Sequence, residues 1–354
     1  MTDTTMSLRP EAGRGVVDRA MVWLPYLLFA GLLGAVVRSI AVPVSNADTF
    51  FHLRFGHEFL HGWAPWNPGH VSSFGQRDWV PTQWLSQVAM AATESVLGLP
   101  GVVWLLGAAV LGLVVAVLLV ARAYADPLPA VVVTIAAVLG SLTNLTSRPQ
   151  VLSYLLILVT THVWLRSAAD LRVRWWLVPL GWLWAMLHGL WVVGPVIGLV
   201  ATLGIALDHR DRLRELRPTL LRMVAVSLLS LLVAGLTPIG PGLFAQVLLV
   251  GGRAKFHDEW AATDFHVTQA ATVAALIAVV LLVWLRGRGA RPGWTPVLLL
   301  MLAAAWSAYA QRTVTVAMMM LVPLLAAALQ SLLAREPDLV RSLAEWFRRT
   351  LAVN

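Results

Sequence analysis

An acid and an imidazole stand four residues apart in the run Asp48-Thr49-Phe50-Phe51-His52. If the segment is helical, that spacing stacks both groups on one face. A carboxylate so placed can act as a general base or bind a metal, while Phe50 and Phe51 can anchor the segment in a membrane interface. The competing reading makes Asp48 a helix N-cap and nothing more. Arg148, after Asn144-Leu145-Thr146-Ser147, and Arg312, in Gln311-Arg312-Thr313, offer planar forks that stay charged and match phosphate oxygens. Snorkelling towards lipid headgroups is the alternative for either. His188, in Leu187-His188-Gly189, can donate to a phosphate, bind metal, or be a hydrogen-bonded interfacial histidine. The cluster His257-Asp258-Glu259-Trp260 carries donors and acceptors suited to a divalent cation or a sugar hydroxyl, and equally to a solvated loop. Trp63, Trp66, Trp79 and Trp84 can form a stacking platform for a sugar ring or belong to an interfacial belt.

The elements that must position these groups are apolar. Of 354 residues 58% are hydrophobic and only 12% charged, about half the charge of a soluble domain. Ten spans follow from the apolar runs: 21–42, 101–121, 129–144, 151–165, 175–190, 191–207, 219–236, 269–285, 294–310 and 314–333. The first exceeds the apolar stretch of a signal peptide, so it reads as an anchor even though Ser45-Asn46-Ala47 offers a small-x-small site beyond it. Residues 83–98 include Gln83, Gln87 and Glu94 and suit an amphipathic interfacial helix better than a span. There is no cysteine, which excludes disulfides and thiolate metal sites. The net charge of +8 is not gathered on a soluble basic module, so nucleic acid is excluded as a partner.

Orientation explains that charge. With the N-terminus inside, 19 of the 26 basic residues fall on the cytoplasmic side, as the positive-inside rule requires. Counting 83–98 as a span would move the Arg166 to Arg174 cluster outside and break the pattern. Both termini are therefore expected in the cytoplasm, and the chain is read as one integral membrane domain, 1–354. It has a first extracytoplasmic loop at 43–100, a second at 237–268 with a re-entrant or interfacial helix over Leu243 to Val250, and a cytoplasmic amphipathic helix in 334–354. Asp48, His52, Arg148, His188, Glu259 and Arg312 all fall on the outer face by this topology. Charges kept near hydrocarbon are costly and usually functional.

Several of these runs resemble a known group. Asp48 to Gly56, Trp63-Ala64-Pro65, Ser72-Ser73-Phe74 and Trp79-Val80-Pro81-Thr82-Gln83-Trp84-Leu85 resemble the first outer loop of bacterial membrane proteins related to the GT-C glycosyltransferases. Arg148-Pro149-Gln150 and Leu187-His188-Gly189 resemble two later signatures of that group, so the likeness covers about residues 20–260. It implies an all-α multispanning fold, an outer-loop acid as catalytic base, here Asp48, and sugar drawn from a polyprenyl-phosphate carrier in the membrane lipid. By the same reading His52, Trp84, Arg148, His188, Glu259 and Arg312 line the substrate site. Phe50-Phe51 replaces the paired tryptophans common in the group, and the large soluble C-terminal domain of many members is lacking. The rival readings are a lipid or glycolipid transporter or flippase, which would show internal repeats or broken mid-bilayer helices, and a non-catalytic scaffold that keeps the fold.

Overall fold

The computed structural model describes residues 12–44, 46–67, 80–146, 148–253, 258–287 and 291–336. Among these the chain is helical and contains no strand: α1 (Ala12–Ile40), α2 (Ala47–Leu60), α3 (Trp84–Arg122), α4 (Pro127–Leu139), α5 (Gln150–Asp170), α6 (Leu177–Leu187), α7 (Val193–Asp208), α8 (Leu213–Leu232), α9 (Gly242–Arg253), α10 (Thr268–Arg286), α11 (Trp294–Tyr309) and α12 (Val314–Arg335). Seven of the described helical stretches, which include α1, α3, α5, α7, α8, α10 and α12, are long and apolar enough to cross a membrane. Three more, α4, α6 and α11, are apolar but shorter. The chain is an all-α polytopic membrane protein.

Burial sorts the helices. In α12 67% of the apolar window is buried, against 11% in α1. α12 packs on α3, α4, α5, α10 and α11, and every residue from Val314 to Leu325 is buried. α1 lies at the periphery, with Val22, Trp23, Tyr26 and Leu27 exposed, as suits a helix whose neighbour on that side is lipid rather than water.

The junction between residues 83–98 and the next expected span is visible as a break. Gly98 adopts φ 67°, ψ −172° inside α3, a conformation open essentially to glycine alone. Pro100 follows it and cannot donate a helical hydrogen bond. The apolar run Leu243 to Val250 becomes α9, twelve residues long and too short to cross hydrocarbon unaided. The expected C-terminal amphipathic helix lies almost wholly outside the described residues, which end at Glu336.

Polar ties close the two ends of the bundle separately. At one end the Asp208 carboxylate accepts from the backbone N–H groups of Trp294 and Thr295, capping α11 from α7, and Gln330 donates to Asp126. At the other, Ser86 at the start of α3 donates to the Leu187 carbonyl at the end of α6, and Asn144 donates to Thr315 at the start of α12. This second end holds the candidate site.

Candidate functional site

The order of events that places Asp48 begins with a neighbour. Asn46 has extended backbone, and its side-chain oxygen accepts from the Asp48 N–H at 3.0 Å, so Asn46 is the N-cap of α2. The cap reading of Asp48 is thereby corrected. Its carboxylate sits in the first turn, just over half exposed, and meets Arg148 at 3.2 Å.

Arg148 reaches it because two turns are packed side by side. The 3-10 turn Leu142–Asn144 is tied to α12 through Asn144 and Thr315, and Gln150 donates back to the Asn144 carbonyl. Across from it, the 3-10 turn Gln311–Thr313 joins α11 to α12 and presents Arg312. A third segment lies over both. The Gln311 N–H donates to the Ala261 carbonyl at 3.1 Å, and the Asp264 N–H donates to the Gln311 side chain. This holds the turn Asp258–Trp260 above the arginines.

Glu259 then bridges them. One carboxylate oxygen accepts from Arg148 at 2.5 Å and the other from Arg312 at 2.7 Å, and the Trp260 ring lies 5.6 Å from the Arg312 guanidinium. The result is a continuous chain, Asp48, Arg148, Glu259, Arg312, with two positive and two negative groups. Each arginine is only about one-fifth exposed, and the Nε of each is buried without a protein partner. A buried donor left unsatisfied costs about 1–3 kcal/mol, so both point to water or a ligand oxygen as partner.

His52 lies one turn after Asp48 and is buried. The Gln87 amide donates to its Nδ1 at 3.1 Å, and the Gln83 amide lies 3.2 to 3.3 Å from the ring nitrogens. Burial pushes the imidazole down from its usual 6.5 to about 4. The Asp48 charge opposes that shift, while the Arg148 and Arg312 charges add to it. His52 is therefore neutral at physiological pH.

His188 is built into the frame. The Trp184 indole N–H, which can only donate, bonds the Ser153 hydroxyl, and that hydroxyl donates to His188 Nδ1 at 3.0 Å. The Leu190 N–H donates to the same nitrogen, capping the turn Gly189–Val192. His188 thus keeps only an Nε2–H for any further partner.

Sequence reasoning named the four members of the ionic chain but not how they connect. It placed Glu259 among the substrate-binding groups, and in the structure its carboxylate lies on the two arginines. Trp84 packs partly buried against the hydrophobic core, and its buried indole N–H has no protein partner, whereas Trp66 is 58% exposed. Trp79 and His257 lie outside the described residues. Gln83, Gln87 and Ser153 were missed as site residues. The signal for the glutamines was present: two amides four residues apart at the start of an apolar helix. Among the described residues no group of three His, Asp or Glu side chains is placed to hold a metal.

No family model, curated protein or solved structure matches this chain.

Proposed function

We propose that this protein is a GT-C-like membrane glycosyltransferase that moves a sugar from a polyprenyl-phosphate carrier to an acceptor hydroxyl with inversion, on the extracytoplasmic face. In this reading it has ten spans, α4, α6 and α11 being short ones, and both termini are cytoplasmic. Asp48 accepts the proton of the acceptor hydroxyl as that oxygen attacks the anomeric carbon. The bond from that carbon to the carrier phosphate breaks, and Arg148 and Arg312 neutralise the charge left on the departing phosphate. His52, held neutral beside Asp48, does not compete with it for the proton.

The observation that supports this reading is the ion pair between Asp48 and Arg148, continued through Glu259 to Arg312. It puts one acid and two phosphate-matching cations in contact, with the acid relieved of any capping duty. The two ends of the bundle support the topology. Asp208 meets Thr295 and Asp126 meets Gln330, pairs that the positive-inside rule sets on the cytoplasmic side.

The test is sugar transfer by purified protein from a polyprenyl-phosphate sugar in lipid vesicles, with and without divalent cation. Asp48→Asn should abolish turnover, and Arg148→Ala should slow it on the order of 100-fold, the usual cost of losing one charge-stabilising donor. Turnover that survives both substitutions would exclude this centre. Binding of the carrier without turnover in the unaltered protein would favour the transporter reading instead.

A further inference from the structure

His188 follows α6, and no step above uses it. Three elements converge on its ring: α5 brings Ser153, α6 brings Trp184, and the turn Gly189–Val192 brings the Leu190 N–H. Ser153 and Trp184 are closed to solvent, at 0% and 1% exposure, while His188 keeps 5% of its surface. Trp184 is wedged in place by α7, where a Cβ on Gly194 would come within 2.8 Å of its ring.

The hydrogen bonds among these groups have one consistent assignment. A backbone N–H can only donate, so the Leu190 bond puts a lone pair on His188 Nδ1. The Ser153 hydroxyl, 3.0 Å from the same nitrogen, must then give it its one proton. The hydroxyl oxygen in turn accepts from the Trp184 indole at 2.7 Å. The proton of the neutral ring is therefore on Nε2, which has no protein partner among the described residues. A second proton would have to enter at Nδ1, where two donors already point. The titratable and charged groups that face the ring from other elements are His52 on α2 and Arg312 before α12, both within electrostatic reach.

We infer that Ser153 is a positioning residue that holds His188 as a fixed neutral donor, whose Nε2–H meets an anionic oxygen of the substrate at the same centre as Arg312. That the oxygen belongs to a carrier phosphate rests on the reading above, whereas the hydrogen-bond assignment does not. Such a donor stabilises charge on the departing phosphate without giving up or taking a proton. Asp48 then remains the one base.

The experiment uses the full-length protein in phospholipid nanodiscs, its histidine rings labelled with nitrogen-15, and nuclear magnetic resonance reads which ring nitrogen carries a proton. His188 is identified as the signal missing from His188→Gln or, should that variant misfold, from His188→Asn. In the unaltered protein it should show a proton on Nε2 and none on Nδ1 across the range in which histidines titrate, about pH 5 to 8. In Ser153→Ala the ring should adopt the other tautomer in part or gain a second proton within that range. Ser153→Thr restores the hydroxyl and should return the original pattern. An alkyl phosphate should shift the Nε2 signal, and the alcohol of the same chain should not. In sugar transfer Ser153→Ala should lower kcat about tenfold, equivalent to about 1.4 kcal/mol, with KM little changed and a titration in the pH profile that Ser153→Thr lacks.

A proton on Nδ1 in the unaltered protein would overturn the inference. So would a Ser153→Ala variant that keeps the unaltered tautomer and pH profile, the result for a serine that serves packing alone. Equal shifts from phosphate and alcohol would overturn the donor role. Should neither serine variant fold, the unaltered spectrum and its response to phosphate still decide. The two readings fail separately. A phosphate-dependent shift at Nε2 without any sugar transfer removes the transferase and keeps the donor. Transfer with an Nε2 signal indifferent to phosphate does the reverse.

Discussion

The behaviour of single side chains at this centre is set by which of them carries another's charge. Glu259 occupies one N–H group on each of the two arginines, so under the proposed function an incoming phosphate competes with it. Glu259→Gln keeps the shape and removes the charge, and should tighten binding of an alkyl phosphate by roughly tenfold, equivalent to about 1.4 kcal/mol. Isothermal titration checks this, and weaker binding would mean that Glu259 organises the arginines rather than competing for them. His52 makes a separate prediction about pH. Its ring is neutral in the fold down to about 4, while in the unfolded chain it protonates near 6.5. Between those values the unfolded chain holds the extra proton, so stability present above 6.5 is lost as pH falls towards 4. The scale is roughly 3 kcal/mol. Thermal unfolding in detergent should fall less over this window for His52→Gln than for the unaltered protein. At this scale the sequence was informative about residue type and less so about connection. An acid before an apolar helix and arginines beside proline or in a short turn stand out in one dimension. The bridge through Glu259 joins positions more than fifty residues apart, and no local pattern encodes it.

The helices that position these residues were more legible. Apolar runs long enough to cross a bilayer marked α1, α5, α7, α10 and α12 to within a few residues at most boundaries, α1 extending further at its start, because hydrocarbon thickness imposes one length on every span. The separation of residues 83–98 from the next span matches the break in α3 at Gly98. What remained illegible was the contact between α2 and α3, since both read as interfacial segments with no stated partner. Gly56 explains it: a Cβ there would collide with the Gln87 carbonyl and the Ala91 side chain. The close approach of the two helices is what brings Gln87 to His52. Gly56→Ala should therefore push α2 off α3, at a cost of about 1–3 kcal/mol as for other overpacked sites. It should also release Asp48 from Arg148. Lower thermal stability together with lost transfer is expected, and a variant of unchanged stability would show that the contact does not position the site.

For the whole molecule, the four charged groups sum to zero, two arginines against two carboxylates. A neutral cluster can sit at the edge of a bilayer at a far smaller cost than an isolated charge. It also leaves the proposed reaction dependent on sidedness, because in that reading the acceptor and the carrier headgroup have to share one aqueous compartment with Asp48. The chain has no cysteine of its own, so single cysteines report that compartment without interference. The most direct measurement places them at Ala47 and Ala262, both exposed beside the centre, and at Asp211, exposed between α7 and α8 at the far end. Each is labelled with a membrane-impermeant maleimide on right-side-out and on inverted vesicles. The account predicts that Ala47→Cys and Ala262→Cys react only from the outer side and Asp211→Cys only from the inner. Reaction of Ala47→Cys and Asp211→Cys from the same side would contradict it.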